Sequence, residues 1–395
     1  MNYVPNRVEE LPTRRRSSAK IACLCIIGTR PEAIKMGPVI QALRASDWAH
    51  PYVATSGQHT DLVAEPLKEF GVWAHRALVL ERESNSLNGL FGNVIVKIGD
   101  VIDELKPDCI VAQGDTSTVA ASSLAAFHKR VPFVHIEAGL RTGNFGEPFP
   151  EELNRRLVAL CSTLHCAPTR IAYDNLLREG VPADSCVVTG NTVIDALLQT
   201  ASRNLPAPAG FPDSPRVILA TAHRRENFGR PLEEALLGLR AAVEEHDDVG
   251  LFFVTHPNSK AYEPARRILD GCPRTTLSDP LGYADLVSAL KRSWLAVTDS
   301  GGLQEEGPAL GKPVLVLRDV TERPEGVHAG AVRIIGTNTE IVRDAISQLY
   351  EDESLYQRMA TPVFPYGDGH AADRIVNAMR EHLFPSMSQA LALAS

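Results

Sequence analysis

No apolar run in this 395-residue chain approaches the ~20 residues that a membrane-spanning helix needs. The nearest imitation is at the start, where Arg14, Arg15 and Arg16 precede an apolar stretch in the manner of a secretion signal. That stretch, Ile21 to Ile27, is seven residues long and runs into GTRPEAIK without a small-residue cleavage site. It reads as a first buried strand behind a disordered basic tail, residues 1–20. Positive charge is in short supply too: 40 Lys and Arg against 48 Asp and Glu leave a net charge of −8. This argues against a nucleic-acid binder or an anionic-membrane binder, though it leaves room for a small anionic ligand in a locally basic cleft. The seven cysteines contain no C-x-x-C pair. Most lie in apolar runs, as Cys23 and Cys25 do in IACLCII. That is the habit of buried thiols in a reducing compartment, not of a disulfide framework or zinc site. A cytoplasmic protein without a metal is the expectation.

Two further absences concern chemistry. No G-x-G-x-x-G follows any strand-like run, so the chain offers no evident seat for a nicotinamide cofactor. Gly307 to Lys312 imitates a Walker loop but is one residue short between its glycines and lacks the following Ser or Thr. No internal repeat or low-complexity tract is present.

What the chain has is alternation. Apolar runs at 21–28, 52–57, 108–114, 133–139 and 163–167 are followed by a second series at 217–223, 251–256, 294–300, 313–317 and 332–336, with amphipathic stretches between. Near-continuous apolar strands separated by helices imply parallel sheets covered on both faces. At 395 residues, 44% hydrophobic, the chain suits two such domains. The proline-bearing stretch Ala201 to Pro215 reads as a linker or surface loop between them. The fold class expected is α/β, two Rossmann-like domains with a cleft facing the carboxyl ends of their strands. The domain limits expected are 21–190 with a returning C-terminal helix at 366–384, and 191–365.

The polar, glycine-containing stretches lie where those strands end. Pro31 and Pro150 are expected in first helical turns, and Asp115 to Thr118 can cap a helix. Ser300, Gly301 and Gly302 follow a strand and open a helix, which suits either a diphosphate cradle or an ordinary tight turn. Glu305 and Glu306, one turn in, could accept ribose hydroxyls or could serve the helix dipole. Arg30 and Lys35 in the first strand-to-helix turn could face an anion or solvent. His223, Arg224 and Arg225 form a similar group. His223 has no second ligand at metal-binding spacing, and His256 at another strand end is explained equally by a loop hydrogen bond. Asp115, Glu137 and the Glu151–Glu152 pair come from three neighbouring segments. Each has an ordinary reading: Asp115 as helix cap, Glu137 as partner of Arg141, Glu151 as first-turn charge. Together they could place several carboxylates in one partly dry site and split acid from base roles.

GTRPEAIKM, QGDTST, HIEAGLRTG, FPEELNRR, TGNTVIDALL, TAHRRENFGR, TDSGGLQEEGPALGKPVLVLRDVTERPE and PYGDG together resemble the non-hydrolysing UDP-N-acetylglucosamine 2-epimerase family, in order from about residue 21 to 383. The resemblance implies a GT-B-like fold and a homodimer acting on a UDP-sugar without cofactor or metal. The implied reaction eliminates UDP to a 2-acetamidoglucal and adds it back with carbon 2 inverted, and surface polysaccharide synthesis is the implied use. By motif position, Arg30, Lys35, Asp115, Glu137 and His223 match substrate-contacting or catalytic residues, and Glu151 matches a further catalytic carboxylate. Ser300, Gly301, Gly302, Glu306 and Arg323 match the UDP site, and Leu281 and Leu286 fall among the substrate-contacting positions. On this basis Asp115, Glu137 and Glu151 would handle the carbon-2 proton while Arg30, Lys35 and His223 stabilise the diphosphate.

Three positions depart from the pattern. Gln58-His59-Thr60-Asp61 ends in Asp where many members have a second Gln linked with activation by UDP-N-acetylglucosamine, and a carboxylate there would face a diphosphate unfavourably. Leu286 stands where some members have Phe near the uracil, and FPEE replaces WPEE. The same motifs leave open a hydrolysing epimerase, an epimerase of a modified UDP-sugar, a GT-B glycosyltransferase and a non-catalytic nucleotide-sugar sensor.

Overall fold

A computed structural model describes residues 20–56, 60–80 and 86–385, without the side chains of residues 60–62. The basic tail and the Gln58–His59 loop lie outside the described residues, as does the side chain of Asp61. The described chain forms two compact units, one taking in residues up to Ala196 and from Gly367 on, the other Leu197–Tyr366.

The first unit holds a seven-stranded, all-parallel sheet of order β3-β2-β1-β4-β5-β6-β7. Its strands are β1 Ile21–Ile27, β2 Ala49–Thr55, β3 Arg76–Ala77, β4 Cys109–Gln113, β5 Phe133–Ile136, β6 Leu164–Ala167 and β7 Cys186–Val188. The central strands β1, β4 and β5 are almost wholly buried, as strands covered on both faces must be. On one face Leu24, Ile26 and Ile110 pack with Val94, Ile98 and Val101 of the helix Leu87–Leu105 and with Val119.

The second unit repeats the plan with six parallel strands, order β10-β9-β8-β11-β12-β13. They are β8 Arg216–Thr221, β9 Val249–Val254, β10 Thr275–Ser278, β11 Leu295–Thr298, β12 Val314–Val316 and β13 Val332–Ile334. Each sheet reverses its strand order beside its first strand, between β1 and β4 and between β8 and β11, the position where open α/β sheets bind ligands.

Each of the ten apolar runs overlaps a strand. The three strands that the pattern did not announce, β3, β7 and β10, are all edge strands. An edge strand has one neighbour and is only half covered, so Thr275–Ser278 carries no apolar run. Strand β2 also starts earlier than expected, at Ala49, because pairing to β1 carries it through His50 and Pro51.

The division between the units falls inside the helix Thr192–Ala201. The proline-bearing stretch follows that helix and is tied to the second unit, where Lys291, Ser288 and Arg292 donate to the carbonyls of Ala201, Pro206 and Leu205. The last helix, Ala371–Leu383, belongs to the first unit. The buried carboxylate of Asp195 accepts the amides of Ala371 and Ala372 at 3.1 and 2.7 Å, capping that helix.

Candidate active site

In the first unit the sequence-marked groups cluster beyond the ends of β1, β4 and β5. Glu137 follows β5 with φ of 65°, a left-handed conformation that side-chain-bearing residues adopt at a cost of about 1–3 kcal/mol. A clamp holds it there. Its Oε2 accepts Lys35 Nζ at 2.5 Å and Gln113 Nε2 at 2.6 Å. The Lys35 and Glu137 side chains are only 13% and 7% exposed. Lys35 is therefore not a solvated surface charge, and Glu137 is not the partner of Arg141, whose guanidinium forks onto Glu179 instead. Two residues on, Gly139 has φ of 90°, and a Cβ there would meet the carbonyl oxygen of Ala172 at 2.1 Å.

Asp115 follows β4 and is held by the helix Glu151–Cys161. Its Oδ2 accepts Arg155 Nε at 2.8 Å, and its backbone carbonyl accepts Asn154 Nδ2 at 2.9 Å. Arg155 reaches on to the fully buried Glu152 at 3.3 Å. Glu152 also gathers the amides of Thr142 and Gly143. The helix cap expected of Asp115 is supplied by Thr116, whose hydroxyl accepts the amide of Val119. Glu151 occupies the first helical position, partly buried, and Pro150 sits at the cap rather than inside the turn. Arg30, partly buried, opens the helix Arg30–Ala45, with Pro31 in its first turn. Beneath it Glu32 accepts the amides of Gly28 and Thr29 and the hydroxyl of Thr116. Burial pushes the Glu32 carboxyl up to about 7, against the pull of these hydrogen bonds.

In the second unit the helix Gly301–Ala309 starts beyond β11, with Ser300 as its cap residue. A Cβ on Gly301 would meet the Arg323 guanidinium at 2.6 Å. Arg323 pairs with Glu305 at 2.5 Å and with Glu322, which Arg318 also contacts at 2.8 Å. Burial alone would raise the Glu322 carboxyl, but Arg323 and Arg318 draw it down to about 2. Glu306 accepts the Tyr283 hydroxyl at 3.1 Å. Gly302 lies within the same first turn, and Leu281 and Leu286 pack, partly buried, against the core around Val217 and Leu219. His223 follows β8, and its ring stacks on that of His256 at 5.2 Å. Burial holds the His223 imidazole below its usual proton affinity, while Asp299 works the other way. Among the described residues no group of three or more His, Cys, Asp or Glu could hold a metal ion, and no helix is long and apolar enough to cross a membrane.

The family model described as UDP-N-acetylglucosamine 2-epimerase matches residues 41–380. The chain belongs to that family. It is 42% identical to the UDP-N-acetylglucosamine 2-epimerase of Bacillus subtilis (strain 168), across 92% of this chain and 96% of the relative. A crystal structure of UDP-GlcNAc 2-epimerase from Neisseria meningitidis bound to UDP-GlcNAc superposes with a TM-score of 0.85 at 39% identity, covering 91% of this chain and all of the other. MurG of Acinetobacter baumannii, 14% identical with a TM-score of 0.59 over 92% of this chain and 99% of its own, shares the fold. The two units are thus the Rossmann-like domains of a GT-B-like enzyme of the 2-epimerase family.

Some residues that shape these two candidate sites of the epimerase carried little signal of their own in sequence. Gln113 and Asp299 end apolar strands, and only the strand register shows that they turn toward Glu137 and His223. Arg155 could be read as exposed helix charge, and Glu152 was marked only as the neighbour of Glu151 in FPEELNRR, not as the buried partner of Arg155.

Proposed function

We propose that the protein reversibly converts UDP-N-acetylglucosamine to UDP-N-acetylmannosamine by eliminating and re-adding UDP. The observation that carries the reading is the clamped, left-handed Glu137 beside Lys35, because strain of this kind persists where a side chain must be aimed. In the forward step a carboxylate among Asp115, Glu137 and Glu151 takes the proton from carbon 2. The electron pair forms the carbon 1–carbon 2 double bond, and the bond from carbon 1 to the diphosphate oxygen breaks. Arg30, Lys35 and His223 stabilise the departing UDP. A proton then returns to carbon 2 on the opposite face as UDP adds back to carbon 1. Elimination explains how a carbon next to an amide nitrogen can be inverted without a redox cofactor, since UDP is itself the leaving group. Ser300, Gly301, Gly302, Glu306 and Arg323 hold the UDP part, with Leu281 and Leu286 beside the base.

The polysaccharide use, the cytoplasmic setting and the homodimer belong to the same proposal. An apolar stripe at Leu153, Leu157 and Leu160, exposed by 46%, 39% and 81% along one helix, supports the homodimer. Incubation with UDP-N-acetylglucosamine in deuterated water tests the reaction. Deuterium at carbon 2 of a UDP-linked manno product is expected. Epimerised product without deuterium sinks the elimination route, and free N-acetylmannosamine with stoichiometric UDP would make the protein a hydrolysing enzyme.

A further inference from the structure

Asp299, immediately after β11, has a carboxylate with no exposed surface, and its two oxygens are treated differently. Oδ2 accepts three N–H donors: the amides of His223 and Arg224, each at 2.8 Å, and Asn227 Nδ2 at 3.2 Å. Asn227 is anchored in turn by donating to the carbonyl of Leu317 at 3.0 Å. Oδ1 accepts no hydrogen bond among the described residues and faces His223 Nδ1 at 3.4 Å. The His223 side chain is 34% exposed, so its ring is held on one side and accessible on the other. A buried carboxylate oxygen without a donor is costly, and the proton on Nδ1 is the donor within reach.

We propose that Asp299 is a positioning residue for His223. Its Oδ1 takes the Nδ1–H of the imidazole, fixes that tautomer and leaves Nε2 to carry a proton to and from the ligand's diphosphate. A carboxylate that orients an imidazole by its far nitrogen is a recurrent way to aim the near one. The inference rests on reading His223 as a ligand-facing residue. The groups facing the ring are Asp299 and Glu226, which favour its protonation, and His256 and Arg224, which oppose it. The negative charge of Asp299 thus offsets part of the burial that disfavours the imidazolium.

The arrangement makes Asp299→Asn a sharp test. Three donors converge on the Oδ2 position, so the amide oxygen of the variant must take that place and its NH2 must take the place of Oδ1. That NH2 donates to Nδ1, which forces the His223 proton onto Nε2. Nitrogen-15 spectra of labelled histidine, with His223 assigned by its loss in His223→Gln, read the tautomer directly. The wild type is expected to show Nδ1–H and Asp299→Asn to show Nε2–H, with the His223 titration moved to lower pH. kcat should fall about a thousandfold or more, with KM nearly unchanged. A wild-type ring that is Nε2–H overturns the inference even if the variant does not fold. So does a folded variant whose tautomer or kcat matches the wild type. If the wild-type enzyme shows no turnover of UDP-N-acetylglucosamine while the tautomer inverts, the reaction reading fails but the Asp299–His223 pairing stands.

Discussion

The two units share one sheet plan and place their charged residues at the same topological position, yet they use charge in opposite ways. In the first unit two of the three candidate catalytic acids are each paired with a cation: Glu137 with Lys35, Asp115 with Arg155. In the second unit the cations are in turn enclosed by carboxylates, Arg323 by Glu305 and Glu322, and Arg318 by Glu322. The first arrangement holds acids in fixed positions, which suits the proposed proton transfer. The second keeps guanidinium groups rigid beside a helix start, which suits an anion. The difference lies in the side chains that end each strand, not in the fold that carries them.

Replacing Glu137 attacks the first arrangement directly. Glu137→Gln should lower kcat about a hundredfold to ten-thousandfold, and Asp115→Asn should do likewise, with folding intact because each amide keeps its hydrogen-bond geometry. If both variants turn over normally in a coupled UDP-sugar assay, the acid–base role of this cluster is wrong. The second arrangement is broken by Arg323→Met, which removes the guanidinium that Glu305 and Glu322 share. A stability loss of about 3–5 kcal/mol is expected by chemical denaturation, with weaker UDP binding by calorimetry. Unchanged stability would mean that these ion pairs do not hold the second unit together.

A smaller effect separates the units by pH. Burial holds His135 down at about 3 and His165 at about 4, against 6.5 when unfolded. Below pH 6.5 the unfolded chain therefore binds two protons that the folded first unit refuses, and stability falls with pH. Glu32 runs the other way. Its carboxyl keeps its proton up to about 7 when folded but only to 4.5 when unfolded, so its contribution is present at low pH and lost as pH rises. Between pH 4.5 and 6.5 the three together leave a slope of about 1.4 kcal/mol per pH unit, and Glu32→Gln should steepen it to about 2.7. In the second unit Glu322, drawn down to about 2, loses its contribution only as pH falls from 4.5 toward that value. His223 of the second unit is also held down by burial, so the deciding test is Glu32→Gln itself: an unchanged slope in chemical denaturation between pH 4.5 and 6.5 would break this contrast.

Much of this was legible in the residues. Strands covered on both faces must be continuous apolar runs, which is why every central strand could be read and only edge strands could not. Glycines and acids at the ends of those runs marked the candidate sites, because open α/β sheets bind ligands beyond the carboxyl ends of their strands. Partnership was not legible. Glu137 answers Lys35, 102 positions away in the chain, and not Arg141, four residues on.

The sequence by itself determined two parallel α/β units, the family, and the short segments that carry chemistry, since hydrophobic period and motif order are local properties. Only the tertiary structure decided which charge faces which. Strand order sets β1, β4 and β5 side by side and β8 beside β11, and so brings Lys35 onto Glu137 and Asp299 under His223. These pairings depend on distances of a few ångströms between segments remote in the chain, and no local pattern encodes those.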